Sequence, residues 1–289
     1  MKLLLSLSAA LLVITDIPAQ QTQVEVSSFS FSDGVHPTFS FLFEGTDTKY
    51  VESFWKDELK KISASVSNKK EVIGAGAVVP QISADTVRVL MKAEQRKGSP
   101  LLTAHVAIVA TGGFIGPSSD AKVFDAAKAF VQQRNTQLRR QLAEQELTLG
   151  EKGLSKLNAE LQVLQRDKER AEAGIEKSKQ RAAEAVIEQE RAKAEAEELG
   201  PRISALQSEL ATMPSDEGTK ELNGLIKDRN RAQDRNRKAQ DEERNMTKKA
   251  DDLAWAIKQN VEDQAKKSEA IAEQTTLVKT LREKLADIR

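Results

Sequence analysis

A glycine-rich run at residues 110–117 is the first place in this sequence where chemistry could be expected. Gly112, Gly113 and Gly116 lie between an apolar strand-like segment and the start of a predicted helix. Backbone N–H groups at a helix N-terminus can bind phosphate. However, the run lacks the Lys-Ser/Thr pair of a P-loop, and its spacing does not match a dinucleotide-binding fingerprint. We therefore expect a structural turn or bulge here, with an anion site as the alternative.

His36 and His105 are the two histidines of the chain, which contains no cysteine. Without thiolates, these imidazoles could bind a metal only with the help of carboxylates. His105 occurs in an alternating apolar–polar segment, so we expect it to face solvent from a strand, and we expect a surface role for His36 as well. No serine lies in a Gly-x-Ser-x-Gly context. The sequence predicts no catalytic, cofactor-binding or metal-ligating residue, and it predicts that the protein is not an enzyme.

The first 20 residues have the pattern of an export signal. A lysine at position 2 precedes an apolar run over residues 3–14, and the small residue Ala19 follows. We expect cleavage near Ala19–Gln20 and a periplasmic or secreted bacterial protein; an uncleaved signal anchor is the alternative. No later segment is apolar over the length of a bilayer. The mature chain is therefore expected to have no integral membrane span.

Residues 22–135 predict an α+β domain. Residues 24–32 and 38–43 alternate between apolar and polar side chains, as half-buried strands do, and a loop from Asp33-Gly34 through His36-Pro37 is expected between them. Asp47 precedes a helix, and three further strand-like segments and a second helix follow. The predicted order is β-β-α-β-β-β-α. It suits one antiparallel sheet with both helices on one face and a more polar opposite face.

Residues 136–289 predict a long antiparallel α-helical coiled-coil hairpin. From Leu154 onward, apolar side chains recur at heptad positions a and d for about eight heptads, and a second series starts at Leu222. The breaker at 213–218 separates the two series. A fold about residue 216 would pair Ala182 with Ala250 and Ile175 with Ile257. Gly150–Gly153 is a mild bend or a true turn, and Gly200-Pro201 a kink or a local break.

The charge balance and the order of the predicted elements limit the possible classes of function. Lys plus Arg and Asp plus Glu each number 44, and this balance argues against nucleic-acid binding. With its Phe31-Ser32-Asp33-Gly34 turn, its early helix containing Trp55 and its Lys/Glu-rich helical tail, the chain resembles a family of exported proteins of Bacteroidetes-type bacteria with a small α+β domain and a C-terminal coiled coil. That resemblance implies no particular activity. The tail also resembles the hairpin arms of periplasmic holdase chaperones, although those carry a strongly basic surface.

Three functions follow, in order of support. The first is a non-enzymatic structural or interaction protein of the envelope, in which the α+β domain binds a protein partner and the coiled coil acts as a spacer or assembly element, with homo-oligomerisation through the coil as an option. The second is a periplasmic chaperone that holds unfolded clients against the arm. The third is a small-ligand-binding protein or enzyme that uses the sheet face.

Overall fold

A computed structural model of the protein describes residues 24–288. The predicted export signal and its cleavage site lie outside these residues and stay predictions. Within the described range, a β-rich region with one short helix precedes two long helices. The elements are β1 (Glu25–Phe31), β2 (Gly34–Glu44), α1 (Thr48–Lys60), β3 (Ser63–Asn68), β4 (Val72–Ala77), β5 (Val87–Gln95), β6 (Leu101–Ala110), β7 (Gly113–Phe114), α2 (Ala121–Thr212) and α3 (Asp216–Asp287).

The strands form one antiparallel sheet in the order β1-β2-β6-β5-β4-β3, with β7 paired to β6. The predicted fold class, an antiparallel sheet with helices followed by a helical hairpin, is confirmed. Two strands are additional to the predicted order: β3 and the two-residue β7. The segment Ser63–Asn68 alternates serines with the small apolar residues Ala64 and Val66. This period-2 signal is weak, because it lacks large apolar side chains, and sequence reasoning missed the strand, which pairs with β4.

One face of the sheet carries the main core. Phe39, Phe41 and Phe43 lie on the same side of β2 and are buried against Trp55 of α1 and Phe130 of α2. The alternation of β2 turns every second side chain to this face. The N-cap of α1 is Asp47, whose carboxylate accepts a hydrogen bond from the N–H of Tyr50 at 2.7 Å. Both helices therefore cover one face, as the sequence predicts.

The opposite face differs from the expected polar surface. Phe31, Leu90 and Ala107 form a second buried cluster there, joined by the partly buried Phe29, Ile73, Val109 and Phe114. The β1–β2 turn consists of Ser32-Asp33, so the expected loop through His36-Pro37 is wrong. Pro37 lies within β2, before the pairing with β6 begins at Phe39, so its missing N–H removes no bond on that side.

The tip of the β1–β2 hairpin reaches residues several strands away in the sheet order. Ser32 donates a hydrogen bond to Glu71, which precedes β4, and Asp33 accepts one from Arg88 of β5 at 3.2 Å. These contacts require the hairpin to bend across the sheet, which places Phe29 and Phe31 over β5 and β6. The sequence carries a partial signal for this second apolar layer, since Phe29 and Phe31 are out of phase with Val24 and Val26, but the closure of the layer depends on strand curvature.

The described residues form two compact units. The first comprises residues 24–148 with 280–288, and the second comprises residues 149–279. In the first unit, the C-terminal segment contacts the early part of α2, since the ammonium of Lys284 lies 2.7 Å from the carboxylate of Glu146. The second unit consists of the two antiparallel helices alone.

Helix α2 is continuous past the predicted interruptions. Gly150 and Gly153 both lie inside it, as does Pro201, so neither site is a turn. The connection between the helices covers only residues 213–215. Ser215 caps α3, because its hydroxyl accepts a hydrogen bond from the N–H of Gly218 at 3.0 Å. The predicted breaker at 213–218 is thus shorter in the structure, and Gly218 belongs to the first turn of α3.

Candidate functional site

The glycine-rich run forms a tight hairpin turn. Thr111-Gly112 connects β6 to β7, where Val109 pairs with Phe114 and Ala110 with Gly113. Gly113 has φ of +113°, a conformation that favours glycine. The N-terminus of α2 lies further along the chain, and the carboxylate of Asp120 accepts hydrogen bonds from its N–H groups at Lys122 and Val123. A carboxylate already occupies the position of a bound anion, so this geometry fits the expected structural turn.

His36 is enclosed rather than free on the surface. Its ring stacks on Phe114 with 3.6 Å between centroids, and its Nε2 lies 2.9 Å from Asp33 Oδ1. The side chain is 15% exposed. Asp33 also accepts the hydrogen bond from Arg88, so the three side chains form a small polar cluster at the hairpin tip. Its effect is to hold the bent hairpin against the sheet.

His105 does not face solvent as the sequence predicts. The bent hairpin places Phe29 over its ring, with 4.2 Å between centroids and an interplanar angle of 13°. Its Nδ1 lies 2.8 Å from the hydroxyl of Ser40 on the adjacent strand. Burial lowers the pKa of His105, and the nearby carboxylate of Glu94 opposes that shift. The folded protein therefore favours the neutral imidazole.

Ser40 connects His105 to two further hydroxyl groups. Its Oγ lies 2.6 Å from that of Ser27 and 3.3 Å from Thr38 Oγ1, and Ser27 and Thr38 are 2.9 Å apart. A serine beside an imidazole has the composition of a nucleophile and a general base. Here, however, Ser40 and Thr38 are buried and the hydroxyl is shared among three partners. The arrangement satisfies polar groups beneath the hairpin, as buried hydroxyls require. Sequence reasoning missed this cluster because the pairing of β2 with β6 creates it.

Metal binding has no support from side-chain geometry in the described part of the chain. Within residues 24–288, no group of three or more His, Asp or Glu side chains is placed to hold an ion.

In the same range, no helix combines the length and the apolar character needed to cross a membrane.

The seam of the helical hairpin contains a repeated polar contact. Asn236, Asn260 and Gln274 of α3 each donate a side-chain N–H to a backbone carbonyl of α2, at 3.0, 3.0 and 2.9 Å. The carbonyls belong to Gln189, Leu164 and Gly150, respectively. A side-chain amide held by one carbonyl across the seam loses that bond when the helices slide, so these contacts fix the axial register.

The observed register differs from the expected one over part of the seam. The close approaches of Gln274 to Gly153 and of Leu253 to Gly174 are both centred between residues 213 and 214, instead of on residue 216. Ser178 and Ala250 are both buried, and this centre places Ser178, rather than Ala182, near the level of Ala250. The hydrogen bond between Gln189 and Glu243, in contrast, fits the expected centre at residue 216.

Close approach of the helices also depends on glycine. A Cβ added at Gly153 would lie 3.1 Å from Gln274 Nε2, next to the carbonyl of Gly150 that this amide contacts. A Cβ at Gly174 would lie 3.0 Å from Leu253 Cδ1. These glycines lower the helix propensity of α2, by up to about 1 kcal/mol each relative to alanine. They also leave room for the opposing side chains.

One section of the seam contains little apolar volume. Its buried residues are small: Ser178, Ala185, Ala192, Ala232, Ala239 and Ala250. Charged side chains flank this section. Arg235 bridges Glu188 and Glu195 of the opposite helix, and a cleft of about 280 Å³ is lined by alternating acids and bases, including Arg181, Glu184 and Lys238. This section therefore combines close helix approach with seam hydrogen bonds at Gln189, and its exposed ion pairs contribute little to stability.

Comparison with known proteins gives a likeness to a coiled-coil structure. No protein-family model matches the chain, and no curated protein is similar to it. Among solved structures, the chain is similar to a coiled-coil segment of the Smc protein of Pyrococcus yayanosii, with 21% identity and a TM-score of 0.46. The likeness covers 53% of this chain and 65% of the Smc segment, so the chain spans less than two thirds of that structure.

Proposed function

We propose that this chain is a non-enzymatic structural and interaction protein of the bacterial envelope. In this proposal the α+β unit binds a protein partner and the helical hairpin serves as a spacer or assembly element. The placement in the envelope rests on the N-terminal sequence pattern. The observation that carries the proposal is the hairpin itself, whose two helices are fixed in register by amide–carbonyl contacts along the seam.

A register-locked hairpin has the mechanical property that a spacer needs. The α2 segment at residues 149–212 is about 96 Å long at 1.5 Å per residue. Because the amides of Asn236 and Gln274 contact carbonyls far apart on α2, sliding requires simultaneous loss of bonds along the whole seam. The distance that the arm spans is then set by its number of residues.

The candidate catalytic groups are all engaged in packing. Ser40 and His105 lie beneath Phe29, and His36 lies between Phe114 and Asp33. Asp120 satisfies the start of α2. These observations support the non-enzymatic proposal, in which the groups hold the hairpin and the helix in position.

Shortening the arm without changing its register tests the spacer role. Deleting residues 178–198 from α2 and the opposite residues 230–250 from α3 removes three heptads from each helix, or about 32 Å. Heptad positions join correctly at both junctions. The proposal expects the shortened protein to capture the same partner from an envelope extract while failing to rescue a strain that lacks the gene. Deleting residues 178–198 alone is the control, because it mismatches the two helices.

Two outcomes would contradict the proposal. Full rescue by the shortened protein would show that arm length is irrelevant. Loss of all partners from the shortened protein would indicate that the binding surface lies on the arm and not on the α+β unit. Light scattering on both proteins reports whether the coil also mediates self-association.

The alanine-rich section favours a second candidate, a holdase chaperone. Its small core residues, such as Ala192 and Ala239, bury little area, so local opening of this section costs less than opening of the leucine-containing parts. A chaperone would suppress the aggregation of an unfolded outer-membrane protein at stoichiometric amounts, and the shortened protein would not. Failure of the full-length chain in that assay excludes the candidate.

A further inference from the structure

Strand β3 is an open edge of the sheet. It is the last strand in the sheet order and pairs with β4 alone among the described strands. Every second residue of such a strand directs its N–H and C=O groups away from its neighbour. Four of its six side chains are exposed, and all six are uncharged. The strand contains no proline, and its pairing with β4 shows no register shift.

The other terminal strand is protected in a different way. β1 begins with the charged Glu25, and the hairpin that it forms with β2 bends across the sheet until Ser32 contacts Glu71. Bending of a terminal strand is a common means of protecting a sheet edge. Strand β3 keeps a regular register with β4 along its whole length, so it is the better candidate for adding a further strand.

Lysine pairs lie at both ends of β3. Lys60 and Lys61 precede it and are 55% and 63% exposed, while Lys69 and Lys70 follow it and are also exposed. Lys60 and Lys61 form i,i+3 contacts with Asp57 and Glu58. The edge therefore has an uncharged centre about 20 Å long with a lysine pair at each end, and the pair at Lys60 and Lys61 is partly offset by Asp57 and Glu58.

This charge pattern discriminates between possible occupants. Antiparallel pairing with a second copy would bring Lys60 and Lys61 of one chain close to Lys69 and Lys70 of the other, at both ends of the pair. Parallel pairing would bring each lysine pair against itself. Like charges directly opposite each other destabilise paired strands. The lysines thus disfavour self-pairing and favour a strand with carboxylates at its ends.

We propose that the β3 edge binds an extended segment of a partner protein, about six residues long, with an uncharged centre and acidic residues at both ends. Backbone hydrogen bonds supply the attachment and the lysine pairs supply the selectivity, as in other cases of strand addition. This inference rests on the proposed function, because it assigns a surface to the partner-binding role of the α+β unit.

Labelled peptides provide the test on the full-length protein. The first peptide alternates threonine and valine and has two glutamates at each end, and the second has lysines instead of the glutamates. Fluorescence anisotropy should show tighter binding of the glutamate peptide, with an affinity that falls as salt is added. Amide exchange measured by NMR should show new protection at residues 63–68.

Charge reversal makes the test specific. Lys69→Glu with Lys70→Glu should weaken binding of the glutamate peptide by about tenfold at low ionic strength and improve binding of the lysine peptide. The matched control reverses Arg96 and Lys97, an exposed basic pair at the turn between β5 and β6, and should change neither affinity.

Three results would overturn the proposal. The two peptides could bind with equal affinity, the control reversal could have as large an effect as the test reversal, or the new amide protection could lie outside β3. A dimer with protected β3 amides would overturn it as well. If the reversed protein still captures its partner from an envelope extract, the proposed function stands and the assigned surface is wrong.

Discussion

Replacement of Arg139 by methionine should destabilise the α+β unit by about 2 kcal/mol. Arg139 lies on α2 and donates from Nη2 to the carbonyl of Leu42 at 2.6 Å and from Nε to Asn135 Oδ1 at 3.2 Å. Its guanidinium is 5.1 Å from the ring centroid of Phe43. Burial lowers the pKa of Arg139, which shows that the cation gives up part of its hydration in order to make these contacts.

The magnitude follows from the separate contacts. A hydrogen bond from a charged donor contributes about 1.5–3 kcal/mol, and the lower value applies because Leu42 is half exposed and water can replace the donor. A partly desolvated cation–π contact contributes about 1 kcal/mol. The hydrogen bond to Asn135 adds about 0.5 kcal/mol. Methionine retains most of the apolar stem, and relief from desolvating the cation offsets about 1 kcal/mol. The sum is about 2 kcal/mol.

Urea unfolding followed by tryptophan fluorescence measures the effect in one unit. Trp55 is fully buried in the α+β unit, whereas Trp255 is 64% exposed in the helical hairpin. In a Trp255→Phe variant, the fluorescence of Trp55 therefore reports on unfolding of the α+β unit only. Arg140→Met is the matched control, because Arg140 is exposed and makes only a 3.9 Å pair with Glu144. It should cost less than about 0.5 kcal/mol.

Two results would refute this reasoning. Equal losses for Arg139→Met and Arg140→Met would mean that a general charge effect, rather than the contacts with β2, sets the stability. A change below about 0.5 kcal/mol for Arg139→Met would mean that water replaces the guanidinium without cost.

Two further predictions concern the hairpin over the sheet and the coiled-coil register. Because burial lowers the pKa of His105 below its unperturbed 6.5, the unfolded state binds more protons than the folded state as pH falls through this region. The stability of the α+β unit should therefore decrease from pH 7 to pH 5, and His105→Gln should flatten this dependence in urea titrations; an unchanged slope would contradict it. In the cysteine-free chain, Ser178→Cys with Ala250→Cys should form an intramolecular disulfide readily, and Ala182→Cys with Ala250→Cys should not. Faster crosslinking of the second pair on a non-reducing gel would show that the register assigned here is wrong.

The sequence determined those features that depend on local periodicity. The alternation of Phe39, Phe41 and Phe43 predicts a strand with one buried face, because successive side chains in a strand point to opposite sides. Asp47 predicts the start of α1, since its carboxylate can satisfy a free N–H. The heptads after Leu154 predict two helices that share a seam. Each of these signals lies within a few residues of the element that it specifies.

Only the tertiary structure decided the features that join distant segments. Strand β3 has only a weak alternation, of Ala64 and Val66 with serines, and its place at the sheet edge follows from its pairing with β4. The enclosure of His105 depends on the bend of a hairpin that carries Phe29 from another strand. The coiled-coil register depends on the cross-seam amide–carbonyl contacts, since the small side chains of the alanine-rich seam fit several pairings equally well. Heptad spacing specifies which face of a helix is buried, whereas the connection and the cross-seam amides specify which residues lie opposite each other.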